Sequence, residues 1–132
     1  MNMNKLSLPQ IAEEIAAPLG AIAPPQRIAI LLAIGKSEAC VCHLEAALGW
    51  RQAYISQHLM ALRKANILTD RRKGRYVFYQ LKDPALLEIL LDLARLSGLP
   101  ADSIATLSNV QGNASCECPQ CAPVLIAAAA LY

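Results

Sequence analysis

Five cysteines carry the first chemical signal, because they fall in two tight groups: Cys40 with Cys42, and Cys116 with Cys118 and Cys121. Gaps of one or two residues let thiolates converge on one ligand, and scattered thiols acting as small core hydrophobes do not pattern this way. No secretory leader forms before Pro9, Glu13 and Glu14, so the expected compartment is a reducing cytoplasm. There, clustered cysteines point to metal binding or thiol chemistry before disulfides. Soft thiolates select soft ions; three sulfurs suit trigonal As(III), whereas a closed structural zinc site takes four ligands. His43 is a candidate fourth donor, against the commoner role of a lone helical histidine as an ordinary surface or satisfied side chain.

Cys118-Pro-Gln-Cys121 also has the spacing of thiol oxidoreductases. That chemistry needs a helix N-terminus in a βαβ setting to depress a thiol pKa, and the pattern here provides none. With two histidines and no paired acid and base near a plausible pocket, the chain is expected not to be an enzyme.

Positive charge is the second signal. The net charge is +2, but residues 51–82 hold 8 basic residues against 1 acidic, while residues 1–50 sum to −1 and residues 83–132 to −4. Segregation of this kind marks a surface for a polyanion, usually nucleic acid. Wing-like cations Arg71, Arg72, Lys73 and Arg75 suit phosphate or minor-groove contact and strongly salt-dependent binding. Upstream of them, Gln52, Ala53, Tyr54, Ser56, Gln57 and His58 are the small or polar set that a helix needs at its exposed N-terminal positions to enter a major groove, with Arg63 near its end.

Elements must position these groups, and the pattern is mainly α. Leu6, Leu8, Ile11, Ile15 and Leu19 predict an amphipathic helix entered at Ser7 with Pro9 in its first turn. Pro24-Pro25 opens a second helix ending at Gly35, and a short third runs from Ala39 to Leu48, closed by Gly49. Gln52 to Ala65 follows, with Ile55, Leu59 and Leu62 as its core stripe. Around Lys73-Gly74 the period changes to two, predicting a β-hairpin over 67–81 in which Tyr76, Phe78 and Gln80 alternate against Val77, Tyr79 and Leu81. Asp83-Pro84 starts a last helix to Gly98, apolar nearly all round and so expected to be covered on both sides, as in a dimer. Beyond it, 108–115 is linker-like and 123–132 a short terminal helix. The charge-free stretches are too short or too interrupted for a membrane span, so no membrane partner is expected. Two short helices about a glycine turn, followed by a basic-tipped hairpin, make a winged helix-turn-helix.

Three segments then resemble the ArsR/SmtB family of metal-responsive bacterial repressors: Ala39-Cys-Val-Cys-His-Leu44, Tyr54-Ile-Ser-Gln-His-Leu-Met-Ala-Leu62 and Arg71-Arg-Lys-Gly-Arg-Tyr-Val-Phe-Tyr79. The resemblance covers about residues 10–98. It implies a homodimer on double-stranded operator DNA that leaves when a metal or metalloid binds. It implies two regions, 1–98 as the DNA-binding and dimerisation domain and 99–132 as an extension bearing the second cysteine group. Cys40 and Cys42 match the pair that the family's thiolate-type sensors carry before the recognition helix, implying As(III) or Sb(III) as effector, with Cd(II), Pb(II) or Zn(II) as alternatives. An oxidant or reactive-sulfur switch through the same thiols, or a structural zinc module, are further options.

Arg51 and His43 depart from residues frequent in the family, Ser and Asp respectively. Glu45 stands where some relatives have a third cysteine, so a third thiolate would come from Cys116, Cys118 or Cys121, unless these form a site of their own. Residues 83–98 contain Asp83, Glu88 and Asp92 but no histidine, against the family's zinc-type site on its last helix. Residues two apart on a regular helix point about 200° from each other, so joint ligation by Cys40 and Cys42 calls for a distorted first turn. That distortion offers a route to the helix carrying Gln52 to His58.

Overall fold

A computed structural model describes residues 5–100 and 102–103. Among them the order is α1 (Leu8–Ile22), α2 (Pro25–Ile34), β1 (Glu38–Ala39), α3 (Val41–Leu48), α4 (Gln52–Lys64), β2 (Leu68–Lys73), β3 (Tyr76–Leu81) and α5 (Ala85–Leu96). This is a winged helix-turn-helix. The expected linker and terminal helix fall outside the described residues, as do Cys116, Cys118 and Cys121.

Local chemistry explains most boundaries. Ser7 and Gln10 form a reciprocal capping box at the start of α1, satisfying two backbone N–H groups that the helix leaves orphaned. The helix closed by Gly49 ends in a left-handed residue at φ +69°, a conformation that is strained for any side chain with a Cβ. That turn sets the angle between α3 and α4. At α5 the N-cap is Pro84, one residue later than the Asp-Pro pair predicts, and the Asp83 carboxylate just before it accepts from the Ala85 N–H at 2.9 Å.

A larger difference from expectation lies at α3. The third helix starts at Val41, because Glu38 and Ala39 are drawn into an antiparallel ladder opposite Gln80 and Tyr79. The expected two-stranded hairpin is therefore a three-stranded sheet in the order β1-β3-β2. Register fixes its two faces, since alternate residues point to opposite sides. Ala39, Leu68 and Leu81 are buried in the main core with Ile30, Leu31, Leu44, Ile55, Leu59 and Leu62, and Tyr79 packs against them. On the opposite face the register aligns Glu38 with Gln80, and Arg71 with Phe78.

The outer helices keep apolar side chains in the open. Leu8, Ile11, Ile15 and Leu19 on α1, and Ile89, Leu93 and Leu96 on α5, are all exposed, while Leu87 and Leu90 of α5 are buried. Both helices thus carry an apolar stripe that this single chain does not cover.

Candidate functional site

Two groups of residues have the chemistry of a site. The first lies along α4 and the wing. Core burial of Ile55, Leu59 and Leu62 turns the opposite side of α4 outward, leaving Gln52, Ala53, Tyr54 and Gln57 exposed and Ser56 half-buried. Arg51 precedes the helix with extended backbone and makes no side-chain cap, so the first-turn N–H groups of α4 carry no intramolecular side-chain partner at that position.

His58 sits differently. Its Nδ1 accepts from the Arg27 guanidinium at 3.3 Å, and its Nε2 is buried with no hydrogen-bond partner among the described residues. Burial, then the adjacent Arg27 charge, holds its pKa below the ordinary histidine value. Arg27 also donates to the Ala21 carbonyl at 3.0 Å, so one guanidinium ties the ends of α1 and α2 to α4. The His58 ring meets Tyr54 edge-on at 4.9 Å, and Tyr54 meets Trp50 in the same way at 5.5 Å. His58 therefore serves as a brace on the inner side of this row, with Tyr54 exposed above it.

The basic wing residues also divide. Arg72 and Lys73 are exposed, and Arg75 is exposed with its guanidinium over the Tyr76 ring at 5.6 Å. Arg63, near the end of α4, pairs with Asp70 of β2 at 3.1 Å and keeps most of its side chain in solvent. Arg71 is engaged elsewhere: it forms a two-pronged ion pair with Glu38 of β1, one contact at 3.0 Å, and lies over the Phe78 ring at 5.0 Å. The Glu38 hydrogen bond raises the Arg71 pKa further.

The second group is the thiol pair. Cys40 is the residue before α3, with extended backbone, whereas Cys42 lies in the first turn. The helical 200° between residues two apart does not apply to this pair, because Cys40 lies outside the helix with φ −86° and ψ 169°. Cys40 and Phe78 are 3% and 1% exposed and form a small apolar cluster of their own, with Cys42 and Tyr76 packed against it. This cluster lies on the outer face of the wing sheet, the face that carries Arg71. His43 is half-buried and its pKa is lowered by that burial, which favours the neutral imidazole. Among the described residues no three His, Cys, Asp or Glu side chains gather as a metal site, so the pair offers two soft donors.

Sequence reasoning missed Arg27, Glu38, Trp50 and the part played by Phe78. Alternation along 76–81 did place Phe78 with Tyr76, but nothing local points to the partners of Arg27, Glu38 and Phe78 more than thirty residues away, whereas Trp50 meets Tyr54 only four residues on.

Known proteins place this geometry. Residues 24–70, spanning α2 through the start of β2, match the family described as "Bacterial regulatory protein, arsR family". The HTH-type transcriptional repressor SmtB of Mycobacterium tuberculosis is 40% identical over 89 residues, which is 67% of this chain and 66% of that repressor. The arsenic resistance transcriptional regulator ArsR1 of Pseudomonas putida is 53% identical over 51 residues, 39% of this chain and 40% of that protein. Among solved structures, NolR from Sinorhizobium fredii superposes with a TM-score of 0.60 at 35% identity, covering 74% of this chain and all of that one. Sharing a winged helix-turn-helix and this level of identity with those regulators, the chain belongs to the ArsR/SmtB family of bacterial transcriptional repressors.

Proposed function

We propose that the protein is a homodimeric repressor that grips operator DNA with α4 and the wing and lets go when a thiophilic ion, As(III) or Sb(III), binds through Cys40 and Cys42. The observation that carries this reading is the pairing of Cys40 and Cys42 on the outer face of the same sheet that forms the wing. An ion held there is bonded to the DNA-binding apparatus itself. The relation to a regulator named for arsenic resistance supports As(III) over the other soft ions.

The rest of the reading follows from surface chemistry. Exposed Gln52 and Gln57 can each pair bidentately with adenine, Tyr54 is braced for base or phosphate contact, and Arg72 and Lys73 supply phosphate contacts. The uncovered apolar stripes of α1 and α5 support a second copy as their cover, which also sets two recognition helices to two half-sites. Each thiol that joins arsenous acid exchanges for one hydroxide and loses its proton in the water released, so neither oxidant nor reductant enters. A trigonal As(III) site needs a third sulfur, and Cys116, Cys118 and Cys121 are the candidates for it, in the same chain or across the dimer.

Fluorescence anisotropy on the DNA upstream of the coding sequence tests this. The apoprotein should bind as a dimer, with a steep salt dependence that falls by about one unit in Arg72→Ala or Lys73→Ala. Among As(III), Sb(III), Cd(II), Pb(II) and Zn(II), the first two should release DNA at the lowest concentrations. Unchanged affinity with all five ions would refute the ion-sensing role.

A further inference from the structure

The thiol pair meets the wing at the Phe78 ring, with Tyr76 beside it. Phe78 packs against Cys40 within the small outer cluster, and the Arg71 guanidinium lies over the same ring at 5.0 Å. Arg71 sits on β2 and Glu38 on β1, the two outer strands, with β3 between them. Their ion pair therefore crosses over β3 above Phe78 and clasps both edges of the sheet together. Cys40 lies two residues after Glu38, so the clasp and the first thiol share one short stretch of chain.

Buried clusters at packing density leave no room for an added atom without displacement of a neighbour. A closely packed contact of this kind changes between discrete arrangements rather than deforming smoothly. We propose that Phe78, Arg71 and Glu38 are positioning residues that carry ion occupancy at Cys40 and Cys42 to the wing: the bound ion displaces the Phe78 ring, the ring displaces Arg71, and the opened Arg71–Glu38 clasp frees β2 from its DNA-competent position. This rests on the reading of Cys40 and Cys42 as the effector site and specifies how that site reaches the DNA. It also assigns Arg71 a place apart from Arg72 and Lys73, as part of the signal path.

A single phenylalanine among the 132 residues makes the path directly observable. The full chain grown with 4-fluorophenylalanine carries one fluorine, on Phe78, and is titrated with arsenite while three signals are followed: the fluorine resonance, the sulfur-to-arsenic absorption in the near ultraviolet, and operator affinity. In the wild type all three should change together, with affinity falling by a factor within the roughly 5–150-fold range usual for coupled sites. Cys40→Ser/Cys42→Ser should abolish the change in the fluorine resonance and the fall in affinity, and any absorption that still develops belongs to Cys116, Cys118 and Cys121. Glu38→Gln, which opens the clasp while keeping the side-chain shape, should bind DNA more weakly without arsenite and lose little further affinity with it, although the absorption still develops. Glu38→Asp should restore part of the response, which a merely structural loss would not allow.

If the absorption develops through Cys40 and Cys42 and DNA is released while the fluorine resonance stays fixed, or if Glu38→Gln keeps the full arsenite-dependent drop, the path through Phe78 is wrong and the effector site stands. If neither absorption nor release depends on Cys40 and Cys42, the effector site itself is wrong and the path falls with it.

Discussion

The two faces of the wing sheet are built to different specifications. Its inner face joins a core in which Ile30, Leu31, Leu44, Ile55, Leu59 and Leu62 are fully buried and contributed by three helices, α2, α3 and α4. On its outer face, among the described residues, only Cys40 and Phe78 are buried, with Cys42, Tyr76 and the ion-paired Arg71 packed around them. A large cluster of aliphatic side chains has many contacts to lose and so fixes the fold. The small one has few, which makes it the place where a ligand can rearrange side chains without unfolding the protein. On the function proposed above, stability and response lie on opposite sides of one strand, β3.

Substitutions on the two faces should separate these roles. Leu44→Ala on the inner side should cost about 2–5 kcal/mol, read from denaturant unfolding, because it opens a cavity in a fully buried site. Its remaining folded fraction should respond to As(III) as the wild type does. Phe78→Leu on the outer side should cost less, about 1–2 kcal/mol, yet blunt the ion response at saturating As(III). Equal stability losses in the two variants, with the response intact in Phe78→Leu, would erase the distinction between the faces.

A smaller effect is expected from His58, which belongs to neither cluster. Burial and Arg27 lower its pKa in the folded state, so the unfolded chain takes up the proton more readily. Stability from this source is full above the ordinary histidine value of about 6.5 and is lost as pH falls through that value toward the lowered one. The Arg27 hydrogen bond adds to the effect, since a protonated Nδ1 can no longer accept. His58→Gln should flatten the pH dependence of the unfolding midpoint between about pH 7.5 and pH 5.5 relative to the wild type, leaving only the contribution of half-buried His43, which has the same sign. Identical profiles in the two proteins would place the titrating group elsewhere.

How much of this was legible in the residues follows from the range of each interaction. Ile55, Leu59 and Leu62 declare a helix face by their spacing, Gly49 and Gly74 mark turns, and alternation along 76–81 sorts β3 into its two faces, all within a few residues. The strand β1 gives no such signal: it is two residues long and exists because it pairs with Gln80 and Tyr79 far along the chain. The basic run 71–75 reads as one DNA-facing patch, yet Arg71 is diverted to Glu38, 33 residues away, and His58 of the recognition segment turns to Arg27, 31 residues away. Composition places charge near DNA; only tertiary pairing says which charge is already spoken for.

The central claim is that Cys40 and Cys42 govern the grip on DNA, and its most direct measurement is operator affinity with and without As(III) in two variants of the full chain. Cys40→Ser/Cys42→Ser should bind DNA like the apoprotein and stay bound when As(III) is added, whereas Cys116→Ser/Cys118→Ser/Cys121→Ser should retain at least a weakened release. Normal release of DNA from the Cys40→Ser/Cys42→Ser protein on adding As(III) would contradict the account.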